Sequence, residues 1–312
     1  MTTNRHAHSA LTLPSSVHSV QQISVEKGPY YSRYFNFQIA RKFILRTQNG
    51  DLIEVTRYEH YKDDVPIDVA VDIPTMVGCP IGCHFCAAAP YVRRLSSQEI
   101  IDAYCLAISD QSIDFDHFPV YIASFQGIGE PTLCVTQVAN AIFGIRLLDK
   151  NTRFSISTTA PRISSFHDWT KKGIHFSTIQ FSITGALSSA REPLHAGSTA
   201  SAASLLALAQ ELYNAHECRY IKFNYILMNS RTDRKSDADN LISLFANTPF
   251  LVKISFANET SNLSVNKLAP AQLNDAINFT QYLRNRQVNA YLYGAYRPTK
   301  MSCGQLLSEM HC

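Results

Sequence analysis

The sequence predicts an α/β protein, a partial (β/α)6 barrel of the TIM type preceded by an N-terminal β-hairpin. Two observations carry that prediction. From about residue 66 onward, short β-branched and aromatic runs alternate with longer stretches of helical period. The densest chemistry in the chain, Cys79, Cys83 and Cys86, directly follows the first of those runs. Barrel enzymes build their sites on the loops that leave the strands at that end.

Residues 1–37 are rich in Ser, Thr and His without a clear period, and Gly28-Pro29 punctuates them, so they read as an N-terminal extension. Residues 38–65 form the hairpin. Its two β-rich runs, within 39–58, meet at Asn49-Gly50, where both residues tolerate positive φ. Residues 66–298 are the barrel. Strands are expected at 67–76, 118–125, 152–158, 176–183, 219–228, 251–257 and 288–293. Helices are expected at 97–109, opened by a Ser96-x-x-Glu99 capping box, and at 135–148, 201–215, 236–246 and 270–286. Repeated β-then-α units imply parallel strands joined by right-handed crossovers, with a doubly wound open sheet as the rival architecture. Residues 299–312 are a C-terminal tail carrying Cys303.

Composition narrows the class. The 312 residues carry 28 Lys+Arg against 25 Asp+Glu, a formal +3, with 46% hydrophobic and 17% charged residues. That is enough apolar material for a core, and it excludes a disordered chain or a polybasic coat for nucleic acid. No apolar run reaches the roughly 18 residues a membrane span needs. The polar start, MTTNRHAHSALTLPSSVHSV, does not resemble a secretory signal, so a cytoplasmic protein with no membrane partner is expected. Eight cysteines are too sparse for a disulfide scaffold, and three of them lie within eight residues.

That triad, in Met76-Val77-Gly78-Cys79-Pro80-Ile81-Gly82-Cys83-His84-Phe85-Cys86, has the spacing Cys-x3-Cys-x2-Cys. Three thiolates on one loop can hold three corners of a 4Fe–4S cube and leave the fourth iron open to a chelating ligand. Zinc is the alternative, but it favours four ligands at paired spacings, and His84 is poorly placed to complete them. Three further segments suit a small ligand. Gly127-Ile128-Gly129-Glu130-Pro131 follows the second barrel strand, and its carboxylate suits an ammonium group rather than a phosphate. Ser157-Thr158 and Ser182-Ile183-Thr184 place hydroxyls at strand ends, where they bind a carboxylate or ribose or satisfy local backbone.

The cysteine spacing, with Phe85 before the third cysteine, resembles the radical S-adenosylmethionine (SAM) superfamily. From about Arg41 to Leu306 the chain is similar to its RlmN/Cfr-type branch, RNA methyl synthases that modify carbon 2 or carbon 8 of adenine. The matching segments are Leu52-Ile53-Glu54-Val55, Val77-Gly78-Cys79, Gly-x-Gly-Glu-Pro, Ser157-Thr158, Ser182-Ile183-Thr184, Arg191, Asn258 and Cys303-Gly304-Gln305-Leu306. The resemblance implies a 4Fe–4S cluster on Cys79, Cys83 and Cys86, and SAM contacts at Phe85, Gly129, Glu130, Ser157, Ser182, Thr184 and Asn258. It implies an external one-electron reductant of flavodoxin or ferredoxin type. It also implies that Cys303 is methylated by one SAM and delivers that carbon to an sp2 carbon of the substrate, with Glu54 accepting a proton.

Two departures from the family qualify this. The family's second cysteine, seven residues before the first cluster cysteine, is here Asp72; Asp72 as a base, or Cys312 as a substitute thiol, are the replacements the sequence offers. The family's helical N-terminal accessory domain has no counterpart in residues 1–37, and basic pairs are scattered. A nucleoside, nucleotide or other small molecule is therefore expected ahead of folded RNA as substrate. A non-methylating radical SAM enzyme and a non-catalytic zinc or cluster protein are the alternatives.

Overall fold

Ten strands close into one barrel in the computed structural model, which describes residues 14–88, 90–110, 117–185, 194–295, 300, 301 and 305. The strands of the barrel are β1 (Val17–Tyr31), β2 (Phe37–Thr47), β3 (Leu52–Lys62), β4 (Val65–Asp72), β7 (Tyr121–Phe125), β8 (Arg153–Thr158), β9 (Thr178–Ile183), β10 (Tyr220–Leu227), β11 (Leu251–Phe256) and β12 (Ala290–Ala295). A small ribbon, β5 (Met76–Val77) with β6 (Arg93–Arg94), lies between β4 and the first helix. The helices are α1 (Ser97–Ser109), α2 (Val135–Leu148), α3 (Ser164–Thr170), α4 (Ala202–Asn214), α5 (Lys235–Phe245), α6 (Ser261–Val265) and α7 (Leu273–Arg284).

Strands β4 and β7 to β12 run parallel to their neighbours, as a βα repeat requires. The difference from the expected partial barrel lies at its seam. Antiparallel strands β1, β2 and β3 fill the gap between β4 and β12, and β1 completes the circle through Tyr30↔Ala295 and Tyr31↔Gly294. The hairpin and part of the segment read as an extension are thus staves of the barrel wall. Closure satisfies the backbone groups that an open sheet leaves on its edges.

Local signals explain most of the elements. Gly50 takes φ +86° in the loop joining β2 to β3, and Asp63 and Asp64, at φ +51° and +64°, form the two-residue turn joining β3 to β4. The capping box forms on α1: Ser96 Oγ accepts from the Glu99 amide at 3.2 Å, and Glu99 accepts from the Ser96 amide at 2.8 Å. Arg93 holds that same carboxylate through two bonds, at 2.6 and 2.9 Å.

Side-chain alternation divides the barrel into two environments. Val71 on β4, Phe154 and Ile156 on β8, Phe181 on β9, Phe223 on β10 and Val252 and Ile254 on β11 belong to one buried apolar core, which includes Leu205, Leu241 and Phe279 of the surrounding helices. The alternate residues (Asp72, Ser124, Ser157, Gln180, Lys222, Asn224, Lys253) line a cavity of about 940 Å³. In a closed TIM barrel branched aliphatic layers fill that space. Here it is a polar chamber. No helix among the described residues is long and apolar enough to cross a membrane.

Candidate active site

The cysteine loop leaves β4 at the C-terminal end of the parallel strands, and Cys79, Cys83 and Cys86 all line the chamber. None is disulfide-bonded. Burial pushes the Cys79 thiol up to about 12, and burial together with the Glu54 carboxylate raises that of Cys86. Such thiols keep their protons until a metal displaces them. Among the described residues no three His, Cys, Asp or Glu side chains converge on one point as a single metal ion requires. A cube instead offers a separate iron to each thiolate. A donor set of three cysteines on one loop, facing one chamber, fits that group better than zinc.

Distant segments hold the loop. Residues 194–197 lie against it through His84 N to Leu194 O (3.0 Å), Ala196 N to Gly82 O (3.2 Å) and Gly197 N to Ile81 O (2.8 Å). His195 is central to this contact: its Nδ1 lies 3.1 Å from Cys83 Sγ, and its Nε2 lies 2.6 Å from Thr184 Oγ1. From the other side, Asn262 Nδ2 donates to Cys86 O at 2.6 Å and Asn266 Nδ2 to His84 O at 3.1 Å. Sequence reasoning did not identify His195, Asn262 or Asn266. They lie over a hundred residues from the cysteines and form no local motif.

The two glycines of Gly127-Ile128-Gly129 border the chamber and also serve packing within the protein. A Cβ on Gly127 would stand 2.6 Å from Pro74 N, and one on Gly129, at φ +114°, would stand 2.5 Å from Thr75 Oγ1. The glycines let this loop pack on the chain leading to the cysteines. Glu130 is buried and accepts from Thr132 N (3.1 Å), Thr132 Oγ1 (2.8 Å), Thr159 N and Thr159 Oγ1 (3.0 Å each) and the Thr158 hydroxyl. It caps the short 3-10 turn Pro131–Leu133 and is one of the residues that border the chamber.

The structure brings some of the expected SAM residues together and sets others aside. Gly129, Glu130, Ser157, Ser182 and Asn258 all border the chamber. Ser157 Oγ accepts from Gln180 Nε2 at 2.7 Å. Thr184 is occupied by His195, and Phe85 packs beside His195 and a small cluster of Leu194, Met228 and Ala257; neither lines the chamber.

Asp72 stands at the end of β4, buried, and accepts from Ser124 and from Gln126 Nε2 at 3.2 Å. Burial raises its carboxyl from 3.8 to about 6, against the opposing effects of Ser124 and Lys253. Glu54, expected as a proton acceptor, is buried on β3, 3.3 Å from the buried Lys42 ammonium, and does not border the chamber. Cys303, Cys312 and Arg191 lie outside the described residues. Met301 lines the chamber and its carbonyl accepts from Tyr58 OH at 3.1 Å, while Gln305 donates to Glu259 O at 2.9 Å.

No family model matches the chain. It is 25% identical over 298 residues to a probable dual-specificity RNA methyltransferase RlmN of Dictyoglomus turgidum, covering 88% of this chain and 80% of that protein. A dual-specificity RNA methyltransferase RlmN of Syntrophotalea carbinolica is 27% identical over 229 residues, 71% of this chain and 57% of that protein. Among solved structures, a radical SAM methyltransferase from Sphaerobacter thermophilus superposes with a TM-score of 0.70 at 18% identity, over 90% of this chain and 80% of that one. A spore photoproduct lyase variant reaches 0.51 at 14% identity, over 71% and 75%. The chain is similar, at modest identity, to proteins named RlmN RNA methyltransferases, and it shares its fold with a radical SAM methyltransferase.

Proposed function

We propose that this protein is a radical SAM enzyme that methylates an sp2 carbon of a nucleobase-like substrate through Cys303. When bound, a 4Fe–4S cluster carrying SAM supplies one-electron cleavage of the sulfonium to a 5′-deoxyadenosyl radical. The chain's own residues bind, orient and move protons. Cys79, Cys83 and Cys86 hold the cluster, and the 194–197 and 262–266 contacts fix their loop. Ser157, Ser182 and Asn258 border the chamber and would offer hydroxyl and amide partners to SAM's carboxylate and ribose. Glu130, which accepts from Thr132, Thr158 and Thr159, is the carboxylate that would hold the SAM ammonium. Asp72, with a carboxyl near 6, is ionised at neutral pH yet basic enough to accept a proton from substrate.

The observation that carries the methylation reading is the placement of the two described residues that flank Cys303 in sequence. Met301 is buried and lines the chamber, and Gln305 is buried and donates to the carbonyl of Glu259, itself a chamber residue, so a thiol delivered between them would meet both SAM and substrate. The test is anaerobic turnover of reconstituted protein with SAM and reductant. S-adenosylhomocysteine together with 5′-deoxyadenosine, and a methyl group on the Cys303 peptide by mass spectrometry, support it. 5′-Deoxyadenosine without either product assigns the protein to direct hydrogen abstraction.

A further inference from the structure

Two lysines project into the chamber from adjacent strands. Lys222 is the third residue of β10 and Lys253 the third of β11; their backbone partners there are Leu251 and Asn224. Both side chains line the chamber, below the strand ends that carry the cysteine loop. From Lys253 to the end of β11 is three residues, about 10 Å of strand.

Lys253 is 5% exposed. Its Nζ donates to Gln180 Oε1 at 3.1 Å and sits 3.7 Å above the Tyr293 ring. An ammonium has three donors, so these contacts leave capacity directed into the cavity. Lys222 makes no hydrogen bond or ion pair among the described residues. The carboxylates nearby are committed elsewhere. Asp68 lies 2.7 Å from His60, and Asp72 accepts from Ser124 and Gln126; neither forms an ion pair with either lysine among the described residues. Burial makes both ammoniums harder to keep charged, and the Lys222 charge adds to that cost at Lys253, while Asp72 offsets part of it at each lysine. An oxyanion between them would remove the repulsion.

We propose that Lys222 and Lys253 form a phosphate subsite inside the barrel that anchors the substrate, placing it in the nucleotide class. The inference rests on the chamber being the substrate site of the proposed enzyme. Tyr293, which covers Lys253, and Tyr30, 5.0 Å from it edge-on, supply aromatic surface beside the subsite for a base or ribose.

Binding to the reconstituted protein with SAM tests it by calorimetry, with adenosine, AMP, a short oligoadenylate and inorganic phosphate as probes. AMP or the oligoadenylate is expected to bind at least about tenfold tighter than adenosine, the weight of one charge-assisted hydrogen bond. Whichever binds tighter identifies the phosphate as that of a free nucleotide or of a nucleic acid. Lys222→Met and Lys253→Met, which keep the packing stems, should each cut that preference, and inorganic phosphate binding with it. Lys253→Arg should retain it, which separates lost charge from lost packing. Equal binding of adenosine and AMP, or Met variants that bind phosphate like the parent, overturns the subsite. SAM cleavage by the unaltered protein, measured without nucleotide, reports separately on the enzymatic reading.

Discussion

Replacing Asp72 by Asn should stabilise the protein at alkaline pH while slowing its chemistry. The side chain is 8% exposed, and its carboxyl is raised from 3.8 to about 6 because burial opposes the anion more than Ser124 and the lysines favour it. A carboxyl with a raised value binds its proton more tightly in the fold than in the unfolded chain. Stability therefore falls as pH rises from about 4 to about 6 and stays reduced above that. The gap amounts to about 3 kcal/mol at pH 8. Asn keeps the shape and an acceptor for Gln126 but carries no charge. The variant should melt higher than the parent at pH 8, with the difference shrinking as pH falls below 6. Calorimetric melting across that range measures it. In turnover, the parent's rate should rise with pH to a plateau above about 6, and Asp72→Asn should lose that limb together with most of the rate. A variant that melts lower than the parent at pH 8 would show that the lysines hold Asp72 as a favourable ion pair, and the argument for a base near neutrality would fail.

Cys83→Ala should reconstitute with little iron, whereas His195→Ala should load iron normally but shift the cluster's midpoint potential downward, because a ring N–H no longer reaches Cys83 Sγ; redox titration of both proteins checks this. Gly129→Ala should cost about 1–3 kcal/mol in chemical denaturation, since φ is +114° and the new Cβ would meet Thr75 Oγ1 at 2.5 Å. Lys42→Met leaves the Glu54 charge buried without its ammonium and should destabilise by about 3 kcal/mol or more, while Lys42→Met with Glu54→Gln should recover much of that, as read by denaturation of all three proteins.

Most of the β/α order was legible in the sequence because the longer helices and the parallel strands carry their own signals, whereas the short helices α3 and α6, of seven and five residues, were not expected. The Ser96-Glu99 box opens α1 where expected, and β8, β9 and α2 lie within two residues of their expected limits. Strand β1 carries no such signal. Its residues Gln21, Gln22, Ser24, Glu26 and Lys27 are polar, and Ile23 and Val25 are exposed, so no buried apolar face marks it. Gly28-Pro29, which reads as a break, lies within the strand. Pro29 stands where β1 passes from β2 to β12, the position at which a missing N–H costs least. The site divides in the same way. Cys79, Cys83 and Cys86 are grouped in sequence and their spacing is their signal, while Glu130 is marked by its own Gly-x-Gly-Glu-Pro segment. His195, Asn262, Lys222 and Lys253 reach the site only through the barrel's closure and register, which no local pattern encodes.

The account depends on the three thiols holding an iron cluster with one iron left for SAM. Anaerobic reconstitution, metal analysis and electron paramagnetic resonance of the reduced protein, with and without SAM, test that together. About four irons and four sulfides per chain, and a signal that SAM changes, are expected. One tightly held zinc per chain, or a cluster signal indifferent to SAM, would contradict it.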